Sequence, residues 1–554
     1  MIMKRLFYKA ILAVTAPLML NSCIEETFPT EFATAEQVGQ SSVALEAMVN
    51  SIPTGMIQIM ANASYHWDFG YPSVLISLSH LSGDVIIGGE DGYNWFYYWD
   101  QNYAMADNYV PVYQFWYNYY RWIKTCNDVV SSLSGTPEEE LNADQRAFLG
   151  VALTYRAQYY LDLVRLFEPK APTSPVVKNY EIPSEIVGLG PVIVTEATTP
   201  DQAANNPRAT VADIYEQVIF ADLNRAVSLL EGYEPVNASM PSQAVAYGVL
   251  ARAHLERGSA GVDGAFASAA EYARKAIDAS GCTPLTQAQW EDPINGFNSA
   301  TSNNAWMWAL GQTPDQVSNI ISFIAHMSIE NDYAVYGNAT GRSIVSNLYN
   351  EIADDDFRKH SWLDPGFFDY YAYQSPRPDY KDWFLATYKG TDKTKAYGSI
   401  KFRPGQGQYA DITVGNAVDV PMMRVEEMYL IEAEALGAAN LQNGINALNS
   451  FMQSHRQPTY SCTSRDFAAF QKEVAKQARI EFWGEGIPFW YCKRLELGIH
   501  KANTNCHVED ARFELDGVAP WWNLVIPYTE ANSNPALDNM NNPNPTDTVD
   551  RVIE

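Results

Sequence analysis

Ala478-Arg479-Ile480-Glu481-Phe482-Trp483-Gly484-Glu485-Gly486-Ile487-Pro488-Phe489-Trp490-Tyr491-Cys492-Lys493-Arg494-Leu495 reads as a helix, a forced break and a second helix. Asp466 is placed to cap the first helix, and Phe467, Phe470, Val474, Ala478 and Phe482 then recur at helical spacing. Gly484, Gly486 and Pro488 cannot continue that helix. Pro488 suits the first position of a new one, and Lys493 and Arg494 suit its last turn before Gly498. Charges here stand among Phe482, Trp483, Phe489, Trp490 and Tyr491. Burying an unpaired charge is costly, so the mixture predicts carboxylates and cations paired at the edge of a packed helix junction.

Working outward, the chain repeats this helical habit. Apolar spacing predicts helices over 43–60, 104–133, 142–168 and 210–230, with Thr210 as a cap. Residues 242–258 and 264–280 read as an antiparallel pair whose Ala251, Ala269, Ala273 and Ala276 permit close approach, as in a tetratricopeptide unit. A second pair over 425–439 and 443–455 closes at Pro458, and Val425 to Pro458 is 34 residues, the length of such a repeat. Residues 283–420 read mostly as loop, with strand-like runs at 305–310 and 412–414. A loop this long inside a compact domain is usually functional.

The 554 residues are 47% hydrophobic and 18% charged, a globular composition. The net charge of −28 argues against nucleic-acid binding and against docking on anionic lipid, both of which need a basic footprint. At the N-terminus, Lys4, Arg5 and Lys9 precede the apolar run 10–20, which is too short to span a bilayer but suits a secretory signal. Leu20-Asn21-Ser22-Cys23 is similar to a bacterial lipobox, which implies cleavage before Cys23 and lipidation of its thiol. Glu25 and Glu26 resemble a surface-export signal. The other cysteines, Cys126, Cys282, Cys462, Cys492 and Cys506, show neither a disulfide framework nor zinc-ligand spacing.

The Arg479-x-x-Glu-Phe…Glu485-Gly-x-x-Phe-Trp…Lys493-Arg494 pattern resembles the C-terminal signature of the SusD/RagB family. Tyr155–Phe167 followed by Gly190-Pro191-Val192-Ile193-Val194 is similar to another segment of that family, which implies a strand over Gly190–Val194. The closing Pro527…Glu530…Asn534-Pro535…Asn542-Pro543 resembles its final pattern, although Asn523 and Val525 depart from it. The matches keep the family's order across nearly the whole chain. The resemblance implies a mainly α fold: tetratricopeptide-like helix pairs as a scaffold, with long loop-rich insertions and a few short strands. It implies a signal peptide over 1–22 and one domain over 23–554, its halves meeting near residue 280. It further implies a lipoprotein of the outer-membrane surface that captures nutrient for a SusC-like TonB-dependent transporter, without cofactor and without turnover.

The candidate site is Tyr93-Asn94-Trp95-Phe96-Tyr97-Tyr98-Trp99-Asp100-Gln101. Read as extended backbone after Gly92, the run would turn alternate rings to opposite faces, one set packed and one open. Sugar C–H faces stack on indole and phenol rings, and neighbouring Asn, Gln and Asp hydrogen-bond the hydroxyls. Trp95 and Trp99 are the leading candidates, with Tyr98, Asn94, Tyr65 and Trp67 beside them. The resemblance implies opposing loops from mid-chain, which points to Trp306, Trp308, Tyr333, Tyr336, Tyr370 and Tyr371. A peptide-binding relative of the RagB kind is the alternative reading, with a surface glycoside hydrolase and an adhesive protein behind it. No HExxH, GxSxG, P-loop or dinucleotide-binding motif is present. Asp354-Asp355-Asp356 reads as a solvated helix start rather than a metal cluster.

Overall fold

The computed structural model describes residues 35–553 apart from 88–93, 318–319, 334, 339, 368–369, 372–373, 381 and 383–396. The signal segment, Cys23 and Tyr93 lie outside the described residues. The longer helices are α1 (Ser42–Gly55), α2 (Tyr71–Leu81), α3 (Val110–Leu133), α4 (Ala143–Phe167), α5 (Ala221–Leu229), α6 (Gln243–Ser259), α7 (Ala265–Ser280), α8 (Val425–Ala439), α9 (Leu441–His455), α10 (Phe467–Glu481) and α11 (Ile487–Leu495). Five of them, α1, α4, α6, α9 and α10, start on a side-chain cap. Asn142 and Gln145 form a capping box on α4. Asp466 accepts the Ala469 amide at the head of α10, as its position in the sequence predicts. The helix predicted at Thr210 does start there, but it passes through a π-helical segment, Tyr215–Phe220, before α5.

The two helix pairs read as separate in the sequence are neighbours in space. α6 packs on α7, α7 on α8 and α8 on α9, so the loop-rich insertion leaves a continuous helical stack. Small residues set the spacing: a Cβ at Gly444 would stand 2.6 Å from the Gly437 Cα. On the other side α3 packs on α4 and α4 on α5.

Strands are few. β1 (Val85–Ile87) pairs antiparallel with β3 (Arg342–Ile344), β2 (Trp306–Leu310) with β4 (Val420–Arg424), and β5 (Ile499–His500) with β6 (Glu514–Leu515). The β2–β4 ribbon ties the start of the insertion to its end, and β4 feeds directly into α8. Two predicted strands are absent. Ile412–Gly415 is a helical turn, because the Asp411 carboxylate accepts the Thr413 and Val414 amides. Gly190–Val194 is extended but joins no ladder; Gly190 and Pro191 instead exchange backbone hydrogen bonds with Ala209.

The α10–α11 junction turns on Gly484 and Gly486, both in the left-handed region at φ 79° and 74°. The turn brings Glu481 and Glu485 inward, where every carboxylate meets cations. Glu481 accepts from Arg358 (3.1 Å), Arg424 (3.0 Å) and Arg456 (2.7 Å). Glu485 accepts from Lys401 (2.7 Å) and Arg424 (2.9 Å). Glu426 joins Arg424 and Arg456, and Asp356 joins Arg358. Four cations thus face four carboxylates in a fully buried lattice. Burial alone would raise the Glu481 carboxyl; Arg456 first, then Arg424 and Arg358, overcome it and hold it well below the carboxylate range. Burial pulls Lys401 down to about 8 despite Glu485. The charges are therefore not at the edge of the junction, as predicted, but at its centre.

The C-terminal asparagines close the fold by imitating β-bridges. Asn523 pairs both ways with the Lys170 backbone, Asn534 with Asn206 and Asn541 with Ile526. A primary amide presents an N–H donor and a carbonyl acceptor side by side, which is what an unpaired peptide group needs.

Candidate functional site

The site is assembled from two turns in front of α2 and α3. In the first, the Asp68 carboxylate accepts the Asn62 amide (2.7 Å) and the Ala63 amide (2.8 Å), fixing the loop that carries Tyr65, His66 and Trp67. Trp67 drops into the core and Tyr65 stacks on it, half-buried, at 5.6 Å and 9°. In the second, the Asn94 side chain accepts the Phe96 amide (3.1 Å) and starts a helical turn, Tyr97–Asp100. Asp100 anchors that turn through Lys501 (2.5 Å).

This helical turn replaces the predicted extended strand, and the sorting of rings changes with it. Helical spacing sends Phe96 and Trp99 inward together and leaves Tyr97 and Tyr98 half-buried at the surface. Trp99 is 1% exposed, between Trp67 (5.3 Å), Phe96 (5.7 Å) and Phe115 (6.4 Å). Trp67 and Trp99 are therefore core residues with no ring face to offer, contrary to expectation. Asn94 is likewise buried, its Oδ1 turned back onto the Phe96 amide.

What remains open is a group of six rings. Trp95 lies 4.5 Å from His66 and 6.4 Å from Tyr65. Tyr97 and Tyr98 stack at 4.1 Å, and Tyr103, 52% exposed, leans on both at 5.3 and 5.8 Å. Burial, a hydrogen bond with Tyr98, and then Tyr103 and Tyr65 raise the Tyr97 hydroxyl, so the group stays neutral. The indole Nε1 of Trp95 is buried with no hydrogen-bond partner among the described residues. His66 and Tyr103 were not legible as members: neither belongs to the aromatic run, and only the fold brings them to it.

The mid-chain candidates divide. Tyr336 is buried, stacked on His326 at 4.5 Å and 3°, and its hydroxyl meets His66 Nδ1, so it supports the group from below. Trp306 is 6% exposed in β2 beside Phe297 and Trp308 packs on Tyr155; both belong to the frame. Tyr333 is half-buried with its hydroxyl unpartnered among the described residues. Tyr370 is bound to Glu291 and Tyr371 to the Trp362 carbonyl. The Asp354–Asp356 run is split among Lys359, Thr459 and Arg358.

A cavity of about 140 Å³ lies elsewhere, among Arg165, Lys170, Arg257, Lys493 and Arg494. Four of these cations stand in the last turns of α4, α6 and α11, where they offset helix dipoles. Arg494 is committed to Glu434 and Lys493 to three backbone carbonyls. This cavity is a product of the frame.

Solved SusD-like structures share this arrangement of helices. A SusD-like carbohydrate binding protein from Bacteroides vulgatus superposes with a TM-score of 0.67 at 21% identity, covering 90% of this chain and 97% of that one. The fold is that of the SusD superfamily. A SusD superfamily protein from Bacteroides thetaiotaomicron gives 0.64 at 20% identity, covering 91% of this chain and 100% of the other. One from Parabacteroides distasonis gives 0.63 at 15%, covering 91% and 98%. Residues 35–255 match a SusD-like family described as "Starch-binding associating with outer membrane". That span contains the six rings, whereas the Ala478–Leu495 signature lies beyond it. A comparison with curated proteins finds no match.

Proposed function

We propose that this SusD-like protein binds a neutral oligo- or polysaccharide at the outer face of the outer membrane and passes it, unaltered, to a SusC-like TonB-dependent transporter. Lipidation at Cys23 would hold it there. The observation that carries the reading is the open ring group Tyr65, His66, Trp95, Tyr97, Tyr98 and Tyr103, on two turns each held by side-chain-to-backbone hydrogen bonds. Ring faces at several tilts suit the apolar faces of successive sugars. No cationic side chain contacts these rings among the described residues, which favours a neutral ligand over an acidic one. The starch-binding description of the family matched over these residues points the same way.

Isothermal calorimetry of residues 24–554 against maltooligosaccharides and oligosaccharides of mannan, xylan and β-glucan tests the proposal. Saturable binding of one series, with no change in sugar length on incubation, is the expected result. Silence across the panel together with co-purified peptides would transfer the site to peptide capture, and shortened products would make the protein a hydrolase.

A further inference from the structure

Beside the ring group lies a groove of about 280 Å³ to which no role is attached. It begins where the Tyr97–Asp100 turn ends. Gln101 closes that turn, its amide donating to the Tyr97 carbonyl at 2.9 Å. Asn102 and Ala104 then take left-handed backbone at φ 51° and 53°. A residue with a Cβ rarely adopts that conformation without a constraint, and such strain collects at ligand sites.

The constraint here is the segment after Pro545. Asn102 Nδ2 donates to the Pro545 carbonyl (3.1 Å), and the Met105 amide donates to Thr546 Oγ1 (3.3 Å). The segment then turns through Asp547, itself at φ 59°, and runs along the groove to Ile553.

The lining has two characters. Phe513 and Val549 are buried and form an apolar floor. Gln101, Asp547, Asp550 and Arg551 form a polar rim. Asn102 is 4% exposed, and its Oδ1 has no partner among the described residues, whereas Nδ2 is satisfied. A buried carbonyl oxygen without a donor is costly, and a hydroxyl entering the groove would supply one. The rim charges are only loosely engaged: Arg551 reaches Asp510 at 3.0 Å, with 38% and 60% of the two side chains exposed. Such a pair is weak enough to re-form around a ligand.

We propose that this groove is a second carbohydrate subsite, taking a sugar residue further along the same chain that stacks on Tyr97, Tyr98 and Tyr103. An apolar floor, amide groups and a mixed-charge rim suit a neutral polyol, and Gln101 and Asn102, which line the groove, directly precede Tyr103 of the ring group. The inference rests on the glycan-binding reading and extends it: the protein would select chain length, not merely sugar type.

The test compares maltotriose and maltoheptaose by calorimetry on residues 24–554, unmodified and as the double variant Gln101→Ala, Arg551→Ala. Both positions lie on the groove's polar rim, so the variant keeps the core and the ring group. Expected is tighter binding of maltoheptaose by the unmodified protein, and a loss of about tenfold for maltoheptaose alone in the variant. Equal affinity for the two sugars, or equal loss of both, would overturn the subsite while leaving the ring platform standing. A Tyr98→Ala protein, weakened for both lengths, marks the platform independently. If neither sugar binds the unmodified protein, the same pair of lengths from the series that does bind in the wider panel is used. A panel silent throughout removes the platform and the subsite together.

Discussion

The α10–α11 junction and the turns carrying Tyr65 and Trp95–Tyr103 are made from the same ingredients, aromatic rings mixed with charge and broken by turns. They end in opposite states. At the junction, Trp483, Phe489 and Phe482 are buried and the charges form a lattice around Glu481 and Glu485, in which Glu426 Oε2 lacks a hydrogen-bond partner among the described residues. At the turns, Phe96 and Trp99 are buried and Asp100 is paired, but the remaining rings stay half-open and Trp95 Nε1 lacks a partner. The difference lies in what surrounds them. The junction is enclosed by segments that supply one cation per carboxylate: Arg358, Lys401, Arg424 at the end of β4 and Arg456 just after α9. The turns sit at the end of the helical frame, where only one side is packed. Satisfied polar groups specify structure, and unsatisfied ones beside open rings leave something for a ligand to do.

The comparison breaks first at Glu481. Replacing it with Ala leaves three buried guanidiniums short of a carboxylate, and a loss of at least ~3–5 kcal/mol is expected in denaturant unfolding. A cost near that of a surface pair would mean that the three guanidiniums do not depend on Glu481. Trp99→Ala comes next: as a core ring it should cost ~3–5 kcal/mol of stability, with reduced binding only as a consequence. Wild-type stability with lost affinity would return Trp99 to the ligand face.

Acid should probe both regions in separate windows. Burial lowers His80, stacked on Phe96 beneath the rings, from 6.5 to about 4. Between those values the unfolded chain binds a proton that the folded chain refuses, so stability is full above pH 6.5 and falls as pH drops toward 4. His80→Gln should flatten that slope by up to ~1.4 kcal/mol per pH unit. Glu481 acts lower: its depressed carboxyl contributes stability above its unfolded value of 4.5, lost only as pH falls further toward the folded value. Unfolding midpoints across pH 3–8 would check both signs. At the small end, Lys124 and Asp128 are paired at 2.7 Å on the surface of α3, and Lys124→Ala should shift stability by no more than ~0.5 kcal/mol.

The frame was legible because its signals are local and redundant. Asp466, Thr210 and the 3.6-residue spacing place helices whose partners need not be known. The lattice was half legible: Glu481 and Glu485 announced paired charge, but Arg358, Lys401, Arg424 and Arg456 come from distant segments that only folding assembles. The site was least legible. The Tyr93–Trp99 run has no internal mark that separates period two from a short helical turn, and the Asn94 side chain, folded back on the Phe96 amide, goes with the turn. That choice sent Trp99 inward and left Tyr98 out. His66 and Tyr103 joined through a turn fixed by Asp68 and a left-handed Asn102, neither of which a pattern of apolar residues reveals.

The central claim is that the open rings, and not the buried ones, hold the ligand on a frame that does not change. The most direct test is the affinity of Trp95→Ala, Tyr98→Ala for the best-binding oligosaccharide, measured beside its melting temperature. The account predicts a loss of about tenfold or more in affinity with melting within about 4 °C of the unmodified protein. Unchanged affinity at unchanged stability would contradict it.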